Sequence, residues 1–227
     1  VTTSSPVVGH SFWVIVAIAF CALALSGFRS IDPDQPITVR SAYSDHVFLI
    51  PRGYFLYPPP LDGILNKSTA EAFIVDYPDF HFQSEANNRK FRQPGSPDIV
   101  MFMVHLAPTL TVRDFLKVRL ETLKKSPVGY RAPGTDLVTF PAKNPSLSVE
   151  KNIYVDPSTE PNFLECYAPG SIPSPSCKMF FFWNGLGVDA KFDLSRIGER
   201  NTIKQKVINK LECWLVNAQK WDACSVE

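Results

Sequence analysis

From Ser11 to Phe28 the chain carries no charge, and Phe12 to Leu25 is almost wholly apolar. A helix over that range rises about 27 Å at roughly 1.5 Å per residue, close to the hydrocarbon thickness of a bilayer. The stretch predicts one N-terminal transmembrane helix. No Lys or Arg precedes it, which favours a retained signal anchor over a cleavable secretory peptide cut at Ala22-Leu23-Ala24. On this reading residues 1–28 are the anchor, 29–36 a linker and 37–227 an exported domain. The expected location is the inner membrane, single-pass, with the C-terminal domain in the periplasm.

The cysteines point the same way. With Cys21 in the hydrophobic stretch, Cys166, Cys177, Cys213 and Cys224 remain, an even set that suits two disulfides. The pairs Cys166–Cys177 and Cys213–Cys224 are favoured. The first closes a Pro- and Ser-rich loop with little else to hold it, and the second ties the C-terminal tail to the last helix. Each would contribute about 2–3 kcal/mol by restricting the unfolded chain. No Cys-x-x-Cys pair occurs and no His lies near the four, so a zinc site is not expected. Oxidised cysteines accord with export.

Basic and acidic residues number 23 and 22, a net charge of +1. Such a balance gives no field toward a phosphate backbone, and a nucleic-acid partner is not expected. Twenty prolines against eleven glycines predict stiff connections and extended segments.

Within the exported part, Ile37–Arg40 and Val47–Ile50 read as a hairpin around Ser44-Asp45-His46. Ala72–Asp76 and Ile99–Leu106 read as strands, the second central. Tyr77 to Asp98 between them is long and polar, a length that is often functional or disordered. Thr111 to Asp114 opens a helix in the manner of a capping box, followed by Phe115, Leu116, Leu120 and Leu123. Further strands are expected near Asp136–Phe140 and Leu147–Val155. Asn184-Gly185 joins Lys178–Trp183 to a strand in which Val188, Ala190 and Phe192 alternate with charges. A helix from about Asn201 to Val216 buries Ile203, Val207, Ile208, Leu211, Trp214 and Leu215. The fold class is α+β: a mainly antiparallel sheet packed by two amphipathic helices and preceded by the transmembrane helix.

No phosphate-binding Gly-rich loop, Gly-x-Ser-x-Gly or His-Glu-x-x-His occurs. The pairs Asp45-His46 and Asp79-Phe80-His81 have no nucleophile beside them, and His105 reads as a satisfied core or edge residue. The chain is therefore not expected to be an enzyme, to bind a cofactor or to hold a metal. Two segments suit a protein partner. Tyr54, Phe55 and Tyr57, with the prolines after them, make a rigid aromatic patch or else pack on the sheet. The 77–98 segment presents Asp79, Glu85, Arg89 and Arg92.

Three segments together resemble small exported bacterial immunity and accessory proteins of type VI secretion lipase effectors. These are Phe48-Leu49-Ile50-Pro51-Arg52-Gly53-Tyr54, Asp76-Tyr77-Pro78-Asp79-Phe80, and the hairpin then helix from Trp183 to Val216. The resemblance implies a non-enzymatic, membrane-anchored periplasmic protein that binds a partner and neutralises a secreted toxin. The alternative is an accessory or assembly subunit of a larger membrane complex. There Ala17, Ala19, Ala22, Ala24 and Gly27 would let other membrane helices approach closely.

Overall fold

The hairpin expected at Ile37–Ile50 forms, and everything else is hung around a larger sheet. The computed structural model describes residues 32–57, 59–93, 95–106, 114, 130–131, 136–143, 150–155 and 163–216. The chain divides into Val1–Asp32 and Pro33–Glu227, and all the described residues but Asp32 belong to the second unit. The anchor at 1–28 lies outside the described residues. Among them, no helix is long and apolar enough to cross a membrane.

Strands β1 (Pro36–Ser41) and β2 (Val47–Pro51) pair antiparallel, with Ile37 opposite Ile50 and Val39 opposite Phe48. Each pair puts two apolar side chains on one face, and all four are buried. Strand β3 (Ile64–Ser68) joins the other edge of β1 in parallel, completing a three-stranded sheet ordered β2-β1-β3. Sequence gave no sign of β3. Its Ile-Leu-Asn-Lys-Ser run has no period-two pattern, because it lies at the side of β1 with only partial burial.

The second sheet contains β4 (Ala70–Asp76), β5 (Ile99–His105), β6 (Tyr130–Arg131), β7 (Val138–Lys143), β8 (Glu150–Val155), β9 (Phe163–Tyr167), β10 (Ser176–Trp183) and β11 (Leu186–Asp193). Its order is β4-β5-β11-β10-β9-β8-β7-β6, and every neighbouring pair is antiparallel. Antiparallel neighbours fit the alternating burial along β5 and β10, where every second side chain enters the core. Strands β10 and β11 meet at Asn184-Gly185, both at positive φ (49° and 76°). That is the backbone a two-residue hairpin turn demands, and Asn-Gly supplies it at least steric cost.

Cys166 and Cys177 face each other across β9 and β10 and are disulfide-bonded, with Cα atoms 4.0 Å apart. Both are fully buried. Cys213 is also disulfide-bonded, and Cys224 lies outside the described residues.

A short helix, α1 (Asn88–Arg92), interrupts the 77–98 segment, and a 15-residue helix, α2 (Arg200–Trp214), follows a 3-10 turn at Leu194–Glu199. The stripe expected on α2 is present: Ile203, Val207, Leu211 and Trp214 are buried, while Ile208 and Leu215 pack partly against the core. Of the two expected amphipathic helices, α2 is thus described, whereas the one opened by Thr111 lies outside the described residues except for Asp114. Helix α2 packs on the face of the large sheet that carries Phe73, Phe102, Val188 and Phe181, and the small sheet adds Ile37, Val39, Phe48 and Ile50 to the same core. The chain leaving α2 pairs with the small sheet, the Val216 N–H donating to the Val47 carbonyl at 2.9 Å.

On the other side of β11, His105 and Lys178 each approach the buried Asp189 at 3.0 Å. His105, read from the sequence as a satisfied core or edge residue, is satisfied by a carboxylate on the neighbouring strand β11, which Lys178 approaches from β10 on the other side.

Candidate functional site

The 77–98 segment is neither disordered nor shapeless. It starts from Asp76, the last residue of β4 and buried to 2% exposure. One carboxylate oxygen accepts the His81 N–H at 2.8 Å and the other accepts Lys90 Nζ at 3.0 Å. Lys90 also donates to the Tyr77 carbonyl at 3.2 Å, fastening α1 to the foot of the turn. Within that turn Tyr77–Pro78 is cis and Phe80 has φ +63°. A bulky residue in the left-handed region costs on the order of 1–3 kcal/mol and persists only where its surroundings impose it. Here they do: the Phe80 N–H donates to the Asp76 carbonyl, and the Phe80 side chain is 2% exposed.

Asn87 closes the next stretch. Its side-chain oxygen accepts from the Ser84 backbone N–H and hydroxyl, and its amide donates to the Phe82 carbonyl. Phe82 lies against Gly53, where a Cβ would sit 2.5 Å from the ring, and meets the Tyr54 ring edge-on at 5.1 Å. Gly53 is thus required for close approach. The segment ends with the Tyr77 N–H donating to the Asp98 carbonyl at 2.8 Å, so both its ends are joined.

A second set of contacts fixes the segment to the region of α2. Arg196 donates to Asp98 (2.8 Å) and Glu199 (2.9 Å), and Glu199 accepts the Tyr77 hydroxyl at 2.5 Å. Three cations lie over three rings in succession: Arg196 over Tyr77, Lys206 over Phe80 and Lys210 over Tyr54, at 5.1 to 5.7 Å. Each places its charge against a ring face, an attraction that adds to the ion pairs of Arg196 and to the hydrogen bond Lys210 donates to the Tyr54 hydroxyl. Burial and the Glu199 carboxylate push the Tyr77 hydroxyl up to about 12. Hydrogen bonds from Tyr77 and then Arg196 hold the Glu199 carboxyl below its usual range.

A carboxyl whose pKa falls on folding contributes stability that is present above its unfolded value near 4.5 and is lost as pH falls through the lower folded value. Glu199→Gln is therefore expected to be less stable than wild type at pH 7, with the gap closing as pH falls below about 4.5. Urea midpoints measured across that range check it, and a gap independent of pH would refute the assignment.

The structure sorts the residues predicted for partner binding. Asp79, Glu85, Arg89 and Arg92 are all exposed on the 77–98 segment. Tyr57 is 71% exposed, whereas Tyr54 and Phe55 are 6% and 9% exposed and belong to the core. Those two pack on the sheet, with Tyr54 against Trp214 and Phe55 against Phe73. They support a surface and do not form one. The 3-10 turn Arg52–Tyr54 holds both candidate loops. Its buried Arg52 guanidinium donates to the carbonyls of Pro59 and Pro60 (3.1 Å each) and to the Gln35 side chain, fixing the stretch that displays Tyr57, Leu61 and Ile64. Sequence reasoning missed Asp76, Lys90, Arg196 and Glu199 as organisers. Only the neighbourhood of Asp76 to the 77–98 segment was visible; Tyr77 and Glu199 are 122 residues apart.

Asp76, Asp79 and His81 bring ligand atoms within 4.8 Å of one another. Both oxygens of Asp76 are engaged, one by the Lys90 ammonium, so the geometry is that of an ion pair with its cation supplied by the chain. The arrangement is a braced loop with charged side chains on its outside, suited to binding.

No protein-family description matches the chain, and no curated protein matches it in sequence. Solved structures do match in fold. One is Smlt3025, an immunity protein of the Stenotrophomonas maltophilia type IV secretion system, with a TM-score of 0.53 at 14% identity over 78% of this chain and 91% of that one. That likeness is one of fold. A second is the Neisseria meningitidis iron-regulated outer membrane lipoprotein FrpD, with a TM-score of 0.53 at 12% identity over 82% of this chain and 95% of that one. The type VI lipase association expected from the sequence motifs has no counterpart in either likeness.

Proposed function

We propose that this chain is a non-enzymatic immunity-type protein that binds a secreted toxin in the periplasm, held at the inner membrane by residues 1–28. The observation that carries the reading is the 77–98 segment. A loop held by the Asp76–Lys90 ion pair, the Asn87 side chain and the cations over Tyr77 and Phe80 loses little entropy on binding, which is what an affinity surface needs. Its outward residues carry both charge signs, as interfaces that select one partner do. The likeness in fold to an immunity protein and the oxidised cysteines support the same reading.

The test is co-purification of the full chain from its native membrane in mild detergent. The expected result is one secreted protein, in stoichiometric amount, that arrests growth when exported to the periplasm of a host lacking this chain and ceases to do so when the chain is co-expressed. Recovery of integral membrane subunits with no toxic partner would support the accessory-subunit reading instead.

A further inference from the structure

Helix α1 carries two exposed arginines three positions apart. Arg52, Arg196 and Arg200 are committed inside the fold: Arg52 to carbonyls and Gln35, Arg196 to Asp98 and Glu199, Arg200 to Asp136. Arg89 and Arg92 are exposed, and their guanidiniums have no ion pair or hydrogen-bond partner among the described residues. Nor is their direction free. Lys90, between them, points inward to Asp76 and the Tyr77 carbonyl, and positions three apart share a helix face, so fixing Lys90 turns Arg89 and Arg92 outward together. They rim an open depression whose other lining residues are Asn88 and Gln93. Two guanidiniums and two amides line it, without a carboxylate.

We propose that this depression receives a carboxylate-bearing segment of the protein partner, with Arg89 and Arg92 as its recognition arginines; the assignment rests on the partner-binding reading above. A guanidinium's planar fork matches a carboxylate in bidentate fashion, and arginines on a rigid support are favoured at binding hot spots. The surroundings argue against a diffuse polyanion. Asp79 and Glu85 are exposed on the same segment and would repel one, whereas a folded partner can set carboxylates opposite α1 and cations opposite Asp79 and Glu85. A lipid surface is disfavoured too, since electrostatic recruitment draws on clusters of roughly 4–8 cations.

The full chain in detergent is titrated with a fluorescent twelve-residue peptide of alternating Glu and Ser, in low salt and in high salt, with inorganic phosphate as competitor. Phosphatidylglycerol vesicles form a separate arm. Saturable, salt-sensitive peptide binding is expected, weakened at least about tenfold in Arg89→Glu/Arg92→Glu. Arg40→Glu/Lys191→Glu changes the net charge equally at exposed positions elsewhere and is expected to leave binding within about twofold of wild type, since only long-range screened charge differs. Equal losses in the two pairs, full competition by millimolar phosphate, preference for vesicles over peptide, or absence of peptide binding would each overturn the proposal. With the native partner in hand, undiminished binding to Arg89→Glu/Arg92→Glu would remove the arginine assignment and leave the partner-binding reading standing. Failure of the wild-type chain to retain any toxin would remove the reading itself. Circular dichroism and urea midpoints unchanged in both pairs confirm that folding is not what is measured.

Discussion

Trp214→Ala is expected to lower the unfolding free energy by about 3–5 kcal/mol, a large part of the 5–15 kcal/mol that holds a typical domain. Trp214 is 2% exposed and contacts Tyr54, Phe73 and Phe102, with ring centroids 5.0, 5.1 and 6.0 Å away. It ends α2, immediately before the residue that bridges to Phe48 on β2, so it joins helix, large sheet and small sheet at one point. A void there strips dispersion contacts from all three, and the aromatic ring edges lose their partners. Urea unfolding followed by far-ultraviolet circular dichroism measures the loss, and Trp214→Phe should recover more than half of it. A loss under about 1.5 kcal/mol would mean that the neighbouring rings collapse into the space, contrary to the close packing described.

Lys90→Met is expected to cost about 2–4 kcal/mol, more than Asp76→Asn, because the two changes leave different groups behind. Without Lys90, the Asp76 carboxylate, whose side chain is 3% exposed, stays buried with the His81 N–H as its remaining described partner. Without the Asp76 charge, Lys90 merely turns to water, since its side chain is 31% exposed. The double variant Lys90→Met/Asp76→Asn should therefore lose less than the sum of the singles. The functional consequence is separate from the stability one. Lys90 sets the direction of α1, so Lys90→Met should also weaken acidic-peptide binding although both arginines are intact. Additive losses, or peptide affinity unmoved by Lys90→Met, would show that the ion pair does not orient the helix.

Legibility in the sequence followed the range of the interactions concerned. The β10–β11 hairpin was readable because its turn pair and alternating strand sit within a few residues. So was α2, whose buried stripe repeats every three or four residues. Cys166 and Cys177 could be paired because they flank one short loop. Tyr54 and Phe55 show the limit: an aromatic run next to prolines looks the same whether it faces solvent or core, and only Phe73 and Trp214, far along the chain, decide it. The 77–98 segment is long and polar in the sequence; Asp76, Lys90 and Asn87 brace it from within or beside it, while Gly53, Arg196 and Glu199 do so from positions that no local pattern connects to it.

The chain's own order of residues determined strands β1, β2, β4, β5, β7, β8, β10 and β11, its last helix, its oxidisable cysteine pair at 166 and 177, and the charged character of the candidate surface. Each depends on backbone conformation or on neighbours a few positions away. The tertiary structure alone decided the parallel pairing of β1 with β3, the placing of β11 beside β5, the burial of Tyr54, and the outward direction of Arg89 and Arg92. Those outcomes rest on contacts between residues distant in sequence, and such contacts exist only once the sheets and α2 have closed on a common core.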